Sequence, residues 1–382
     1  MILKTYNYTN SWDVPLDASL DSKQTLVLIF SSLQTQERDT VLAEVQKTFP
    51  LATIIGSSTA GEISMDELHE DSLVLSVVKF KSTTIKLSQE PIPLAKDSFD
   101  IGTKLAHSLE DENLKHIFIL SDGLKINGSK LAHGFASALD NDVVVSGGLA
   151  GDGAKFESTW VLVDSKAQDG YVSAVGLYGK NINVSSGFQG GWDKFGIERI
   201  VTRSQDNILY ELDHKPALDI YKNYLGDKAK ELPASGLLFP LELQEDENND
   251  TKTVRTILAI NEEDKSITFA GDIPEKSIVS LMKANHDRLI EGAFNASKKV
   301  NLKNYKDEEI LCVAISCIGR KLVLKQRAED ELEATLENLP KNTQQIGFYS
   351  YGEISPLSSG KCDLHNQTMT LTLIWESDAP ST

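Results

Sequence analysis

A chain of 382 residues, 40% of them hydrophobic, is long enough for two domains or one large bilobal unit with real cores. Its 38 basic against 56 acidic side chains give a formal charge of −18, which repels nucleic acid and anionic membranes at long range. No apolar run approaches the ~18 residues of a membrane span, no secretion signal opens the chain, and Cys312, Cys317 and Cys362 match no disulfide, zinc or haem-attachment spacing. A reducing cytoplasm is the expected compartment.

Residues 1–22 read as irregular. Thr25-Leu26-Val27-Leu28-Ile29-Phe30 reads as a buried strand ending at Ser31-Ser32, followed by a helix over about 36–48 with Val41, Leu42 and Val45 on one face. Ala52-Thr53-Ile54-Ile55 enters a loop, and residues 72–78 form a further strand. The pattern recurs from His116-Ile117-Phe118-Ile119-Leu120, through a helix around 128–139, to Val143-Val144-Val145 and a glycine-rich turn at 147–153. Trp160-Val161-Leu162-Val163 and residues 173–178 read as paired antiparallel strands. Asp213-His214-Lys215-Pro216 opens a helix, with Asp213 or the next residues as cap and Pro216 in the first turn. The acidic run at 245–250 reads as a solvated loop joining two strands. A third copy runs from Leu311-Cys312-Val313-Ala314-Ile315, through a helix near 329–339, to Ile346.

Two of these copies exit into the same short motif. Residues 56–64 carry Gly61-Glu62-Ile63-Ser64, and residues 347–356 carry Gly352-Glu353-Ile354-Ser355. Thirty residues separate Ser31 from Gly61 and Ser121 from Gly151, and 36 separate Ser316 from Gly352. Three strand–helix–strand units with serine and glycine exits predict an α/β fold with internal duplication. Two lobes are built from the repeated units, with added antiparallel strands, mixed sheets and helices outside.

Taken together the strings resemble the FIST family over nearly the whole chain. They are residues 55–63, Ser121-Asp122-Gly123-Leu124, residues 147–153, Tyr210-Glu211-Leu212-Asp213, residues 215–219, residues 237–241, residues 269–274, the 348–356 segment and His365-Asn366-Gln367-Thr368. His214 departs from the pattern, standing where a glycine is expected. The resemblance implies a FIST N-terminal domain over 1–210 and a FIST C-terminal domain over 211–382. It also implies an intracellular ligand sensor that signals to a separate protein. Some stand-alone bacterial members resemble haem-dependent nitric oxide sensors that control a histidine kinase. The resemblance therefore points to a non-covalent haem b, and to a small metabolite such as an amino acid as the other ligand. A ligand-free docking scaffold is the third reading.

The candidate ligand residues are Glu62, Glu353, Tyr349, Tyr351, Ser58 and Asp152. An ionised carboxylate accepts from an amine or guanidinium, or from its own loop's N–H groups. Glu62 and Glu353 are expected to border a shared hollow between the two halves. The axial haem candidates are His214, near aromatic residues at a helix start, and His365, beside the late Gly-Glu loop. The 147–153 turn lacks a P-loop ending and dinucleotide spacing. Catalysis by Ser350 with Glu353 and His365, or by Cys317 beside Arg320, lacks a nucleophile elbow or oxyanion motif, so no enzyme activity is expected.

Overall fold

A computed structural model of the chain describes residues 1–244, 252–357 and 359–377; the acidic run at 245–250 lies outside them. The chain lays down one supersecondary unit three times. In the first repeat an edge strand β1 (Ile2–Tyr8) precedes β2 (Thr25–Ser31), helix α1 (Thr35–Thr48) and β3 (Thr53–Ser58). A short hairpin, β4 (Glu62–Ser64) and β5 (Glu67–His69), then leads to β6 (Leu73–Lys79). The second repeat runs β7 (Thr84–Pro91), α2 (Ser98–Leu109), β8 (Leu114–Ser121), α3 (Gly128–Ala138) and β9 (Val144–Leu149). Its hairpin is β10 (Val161–Val163) and β11 (Lys166–Gln168), and it closes with β12 (Tyr171–Tyr178).

The third repeat starts with β13 (Ile182–Gln189) and is then interrupted by an inserted module. That module holds β14 (Trp192–Lys194), β15 (Arg199–Gln205), β16 (Ile208–Leu212), β17 (Lys215–Pro216) and α4 (Ala217–Leu225). It continues with β18 (Leu241–Gln244), β19 (Lys252–Arg255), β20 (Ile257–Asn261), β21 (Ser266–Phe269) and β22 (Ile278–Ala284). The repeat resumes with α5 (His286–Lys298), β23 (Ile310–Cys317), α6 (Ile318–Leu324), α7 (Ala328–Leu336) and β24 (Thr343–Ser350). It ends with the hairpin β25 (Gly352–Pro356) and β26 (Cys362–His365), and β27 (Met369–Glu376).

The repeats interlock. Each six-stranded sheet has the same order, β1-β6-β2-β3, β7-β12-β8-β9 or β13-β27-β23-β24, and is completed by a hairpin from another repeat. The first sheet takes β10 and β11, the second takes β25 and β26, and the third takes β4 and β5. The strand pairs β2–β3, β8–β9 and β23–β24 are parallel, and every other pairing in these sheets is antiparallel. The donated hairpin covers what would otherwise be an open sheet edge. The result is an α/β fold of repeated strand–helix units forming mixed sheets with flanking helices.

Burial on both faces explains the unbroken apolar runs. Leu26, Leu28 and Phe30 of β2 face inward to a core shared with Phe118 and Leu120 of β8, Val313 and Ile315 of β23, and Phe348 of β24. Val27 and Ile29 face outward, where Val41, Leu42 and Val45 of α1 cover them. The alternation follows from the two-residue period of a strand. At the matching position of β3, β9 and β24 stand Gly56, Gly147 and Gly347. A Cβ there would lie 2.6, 1.9 and 1.7 Å from the carbonyl oxygen of Ile29, Ile119 and Ala314, so neighbouring backbones exclude any side chain. The inserted module has its own core of Val201, Leu209, Tyr221, Phe269 and Leu281.

Several expectations need correction. Residues 1–22 are not all irregular, because Leu3 and Tyr6 are buried as β1 adds to the edge of the first sheet beside β6. The strands at 161–163 and 171–178 do not pair; β10 joins β3 and β12 joins β7 and β8, in different sheets. Gly147 and Gly148 belong to β9 rather than to a turn, so their N–H groups are spent inside the sheet. Asp213 does not cap α4. It sits in the β16–β17 turn, where its carboxylate accepts from Ile200 N–H at 3.0 Å and pairs with Arg199. His214 follows it at φ 61°, a left-handed conformation that explains why glycine is expected there.

Candidate functional site

Strand register defines which residues of the three repeats correspond. Ser31 lies opposite Ser58, Ser121 opposite Leu149, and Ser316 opposite Tyr349. A ring of backbone hydrogen bonds joins these strand ends: Ala60 N–H to Tyr349 O at 2.8 Å, Gly151 N–H to Ser58 O at 3.2 Å, and Tyr351 N–H to Leu149 O at 3.2 Å. Donors and acceptors occupy matching positions all round, so Ala60, Gly151 and Tyr351 are equivalent. The equal spacing to Gly61 and Gly151 therefore hides a one-residue offset, and Asp152 matches Gly61, not Glu62. The residues before the last strand of each repeat also match. Asp71, Gly170 and Gln367 adopt φ values of 48°, 66° and 60°.

Glu62 and Glu353 occupy equivalent sockets. Both are fully buried. Glu62 accepts from Thr59 Oγ1, from Ser72 Oγ and, at 2.9 Å, from Ser32 Oγ. Glu353 accepts from Ser350 Oγ at 2.8 Å and Thr368 N–H at 3.2 Å. Thr59 matches Ser350, and Ser72 matches Thr368. Burial pushes Glu62 up to about 7 and Glu353 up to about 8, against the pull of those hydrogen bonds. In the second repeat the buried acid comes instead from Asp122 at the end of β8, which accepts from Leu124, Lys125 and Gly170 N–H at 2.8, 2.8 and 2.9 Å.

A cavity of about 400 Å³ opens at the ends of β2 and β3, beside the start of α1. Ser31, Ser32, Ser58, Thr59 and Gly61 form its floor, with Glu62 directly beneath two of those hydroxyls. Arg38, Lys155 and Lys321 bring positive charge to it, and Glu70, Asp71 and Asp152 bring negative charge. Ends of parallel strands next to helix starts are where α/β folds bind ligands. Arg38 lies over Trp160, 5.2 Å from the ring centre. Lys321 reaches across from the third repeat, donating to Ala60 O at 2.7 Å and pairing with Glu70.

The corresponding positions are occupied differently in the other repeats. In the second, Lys125 and Asp169, which match Thr35 and Glu70, pair directly. In the third, Gln367 packs on Gly319, where a Cβ would lie 2.3 Å from its amide nitrogen. That same amide donates to Leu237 O and Thr256 Oγ1 of the inserted module, at 3.0 and 3.1 Å. Arg320, matching Thr35, is wholly buried on Glu331, which also accepts from Tyr349 OH at 3.1 Å.

A second cavity, of about 460 Å³, lies between the third repeat and the inserted module, lined by Phe188, Trp192, Val254, Met282, His365 and others. It shares no lining residue with the first. Glu62 and Glu353 thus do not border a shared hollow; each holds its own loop, one behind each cavity. Among the expected ligand residues, Ser58 and Asp152 line the first cavity. Asp152 is engaged by the N–H groups of Phe156, Glu157 and Ser158 at 3.0, 2.8 and 2.8 Å and by Tyr351 OH. Tyr349 and Tyr351 are both buried behind the loops.

His214 is exposed on its turn and lies at neither cavity. His365 lines the second cavity and is buried, which lowers its pKa; its Nε2 lies 3.0 Å from Ser355 O and its ring 4.2 Å from that of Phe188. Ser350, Glu353 and His365 form no relay, because Ser350 bonds Glu353 while His365 turns to Ser355. Burial pushes the Cys317 thiol far up, away from reactivity. Sequence reasoning missed Arg38, Lys155, Trp160 and Lys321, which come from distant segments. The shared spacing Thr59-x-x-Glu62 and Ser350-x-x-Glu353 was the available sign of the twin sockets.

No helix among the described residues is long and apolar enough to cross a membrane. The FIST N domain pattern matches residues 25–215 and the FIST C domain pattern residues 217–356. An uncharacterized protein of Methanocaldococcus jannaschii is 22% identical over 393 residues, spanning 92% of this chain and 73% of its own. FIST domains are implicated in small-molecule sensing and signalling. On these two matches, which together run from β2 to β25, the chain belongs to the FIST family.

Proposed function

We propose that the chain senses a small zwitterionic metabolite, such as an amino acid, in the cavity at the ends of β2 and β3. The observation that carries this reading is the asymmetry among the repeats: positions held by an exposed Lys125–Asp169 pair in the second and by buried Arg320 and Gln367 in the third border a cavity in the first. Cations and carboxylates together on the lining suit a ligand bearing both charges. Its carboxylate would compete with Glu70 for Lys321. Because Lys321 belongs to the third repeat and Glu70 to the first, that exchange would bias how the repeats sit together. A separate signalling protein such as a histidine kinase would read the difference. A thermal-shift panel of the common amino acids tests it, since a ligand specific to the native state raises apparent stability. A response abolished by Lys321→Ala and Arg38→Ala supports the reading, and no response from any amino acid removes it.

A second reading, a non-covalent haem b for nitric oxide sensing, has His365 as its candidate. What favours it is that this histidine alone of the two candidates lines a cavity, with Phe188, Trp192 and Met282 around it. It requires the ring to release Ser355 O so that Nε2 can face iron, with Phe188 and Met282 walling the macrocycle. Titration with haem should then give a Soret band that shifts with nitric oxide and is lost in His365→Ala; a spectrum identical to free haem ends this reading.

A further inference from the structure

The second cavity stands apart from the strand-end site and has a different chemistry. Its walls come from two bodies: Phe188, His365 and Asn366 from the third repeat, and Trp192, Val254 and Met282 from the inserted module. Residues Gly190 and Gly191, the link along which the chain passes from β13 into the module, form part of the same lining. We propose that this cavity is a second small-molecule site that takes an uncharged, planar aromatic compound, and that its occupant staples the module to the body.

Size, walls and charge all point the same way. About 460 Å³ is within the range of small-ligand pockets, and aromatic and thioether walls suit a flat apolar body. The charged side chains on the wall cancel: Lys252 Nζ lies 3.1 Å from Glu242, so neither is left to recruit an ion. His365 is held neutral by burial and adds no charge. Asn366, only 1% exposed, accepts at its Oδ1 from Thr256 N–H at 3.2 Å and so ties the third repeat to the inserted module behind the cavity wall. Trp192, on the lining, is tethered already, its Nε1–H donating to Gln367 O at 3.1 Å.

Benzamide is a suitable probe, read by quenching of tryptophan fluorescence in the full chain. Saturable quenching is expected with a dissociation constant on the order of 1 mM, normal for so small a fragment. Val254→Trp, which fills the cavity from the module side, should weaken it at least about tenfold while leaving any amino-acid response of the strand-end site intact. Lys321→Ala should do the reverse, so failure of one site is distinguishable from failure of the other. Near-ultraviolet circular dichroism and an unchanged unfolding midpoint confirm that Val254→Trp is folded, and Met282→Phe serves as a second filling variant. The proposal is overturned by absence of saturable quenching, by quenching that both filling variants leave unchanged, by competition from amino acids, or by haem displacing benzamide one for one with a Soret band.

Discussion

The first and third repeats end their parallel strands in the same backbone geometry and put it to opposite uses. In the third, Arg320 is drawn inward onto Glu331 and Gln367 is clasped by the inserted module. In the first, the residues at those positions, Thr35 and Asp71, stand on either side of polar space. Both repeats keep the buried glutamate behind the loop. The glutamate therefore belongs to the scaffold that makes the strand end, and the side chains around it decide whether that end is a plug or a site.

The largest effect should follow from breaking the plug. Glu331→Ala leaves Arg320 buried without its carboxylate and should cost about 3–5 kcal/mol by denaturant unfolding. Lys321→Ala, at the open end, should move the midpoint by less than about 1 kcal/mol, because its pair with Glu70 is largely exposed on the carboxylate side. Equal losses from the two would mean the ends are not used differently.

The next test is pH. Glu62 at about 7 and Glu353 at about 8 both lie above the ordinary 4.5, so the folded chain holds protons that the unfolded chain has released. Their contribution is full below about 4.5 and is lost as pH rises toward 7 and 8, so stability should fall across that window. Glu62→Gln, which cannot ionise, should flatten the fall by roughly 1–3 kcal/mol between its ends. A wild-type profile that rises over this range, or a slope untouched by the substitution, contradicts the buried, protonated state.

Smaller effects sharpen the equivalence of the sockets. Thr59→Ala and Ser350→Ala each remove one hydroxyl from a buried carboxyl and should cost about 1–2 kcal/mol, alike to within about 1 kcal/mol. The smallest expected change is Asp71→Gly, which installs the residue of the second repeat at φ 48°. It should alter stability by less than about 1 kcal/mol, in the favourable direction. Any amino-acid response should nonetheless weaken, since Asp71 faces the cavity.

Much of the scaffold was legible in the chain itself. The runs at 26–30, 117–120 and 310–315 are apolar without interruption because core and helix cover both their faces, and the helix over 35–48 shows its buried stripe at Val41, Leu42 and Val45. Such patterns report local burial, which the period of each element imposes on sequence. The edge strand β1 was not legible, as only Leu3 and Tyr6 of it are buried. Nor was the partner of each hairpin, since a three-residue strand such as β4 or β10 pairs equally well by its own pattern with any open edge.

The amino-acid order alone determined the repeated strand–helix–strand units, the Gly-Glu exits and the family to which they belong. Only the tertiary structure decided that the repeats exchange hairpins, that Glu62 and Glu353 serve separate loops, and that a cavity opens at the strand ends of the first repeat. Those outcomes depend on which distant segments fill a given space: Lys321 reaching Ala60, Gln367 reaching Leu237, and Arg320 reaching Gly190. Contacts between segments more than a hundred residues apart leave no periodicity along the chain, so they are settled by packing and by the need to pair every buried polar group.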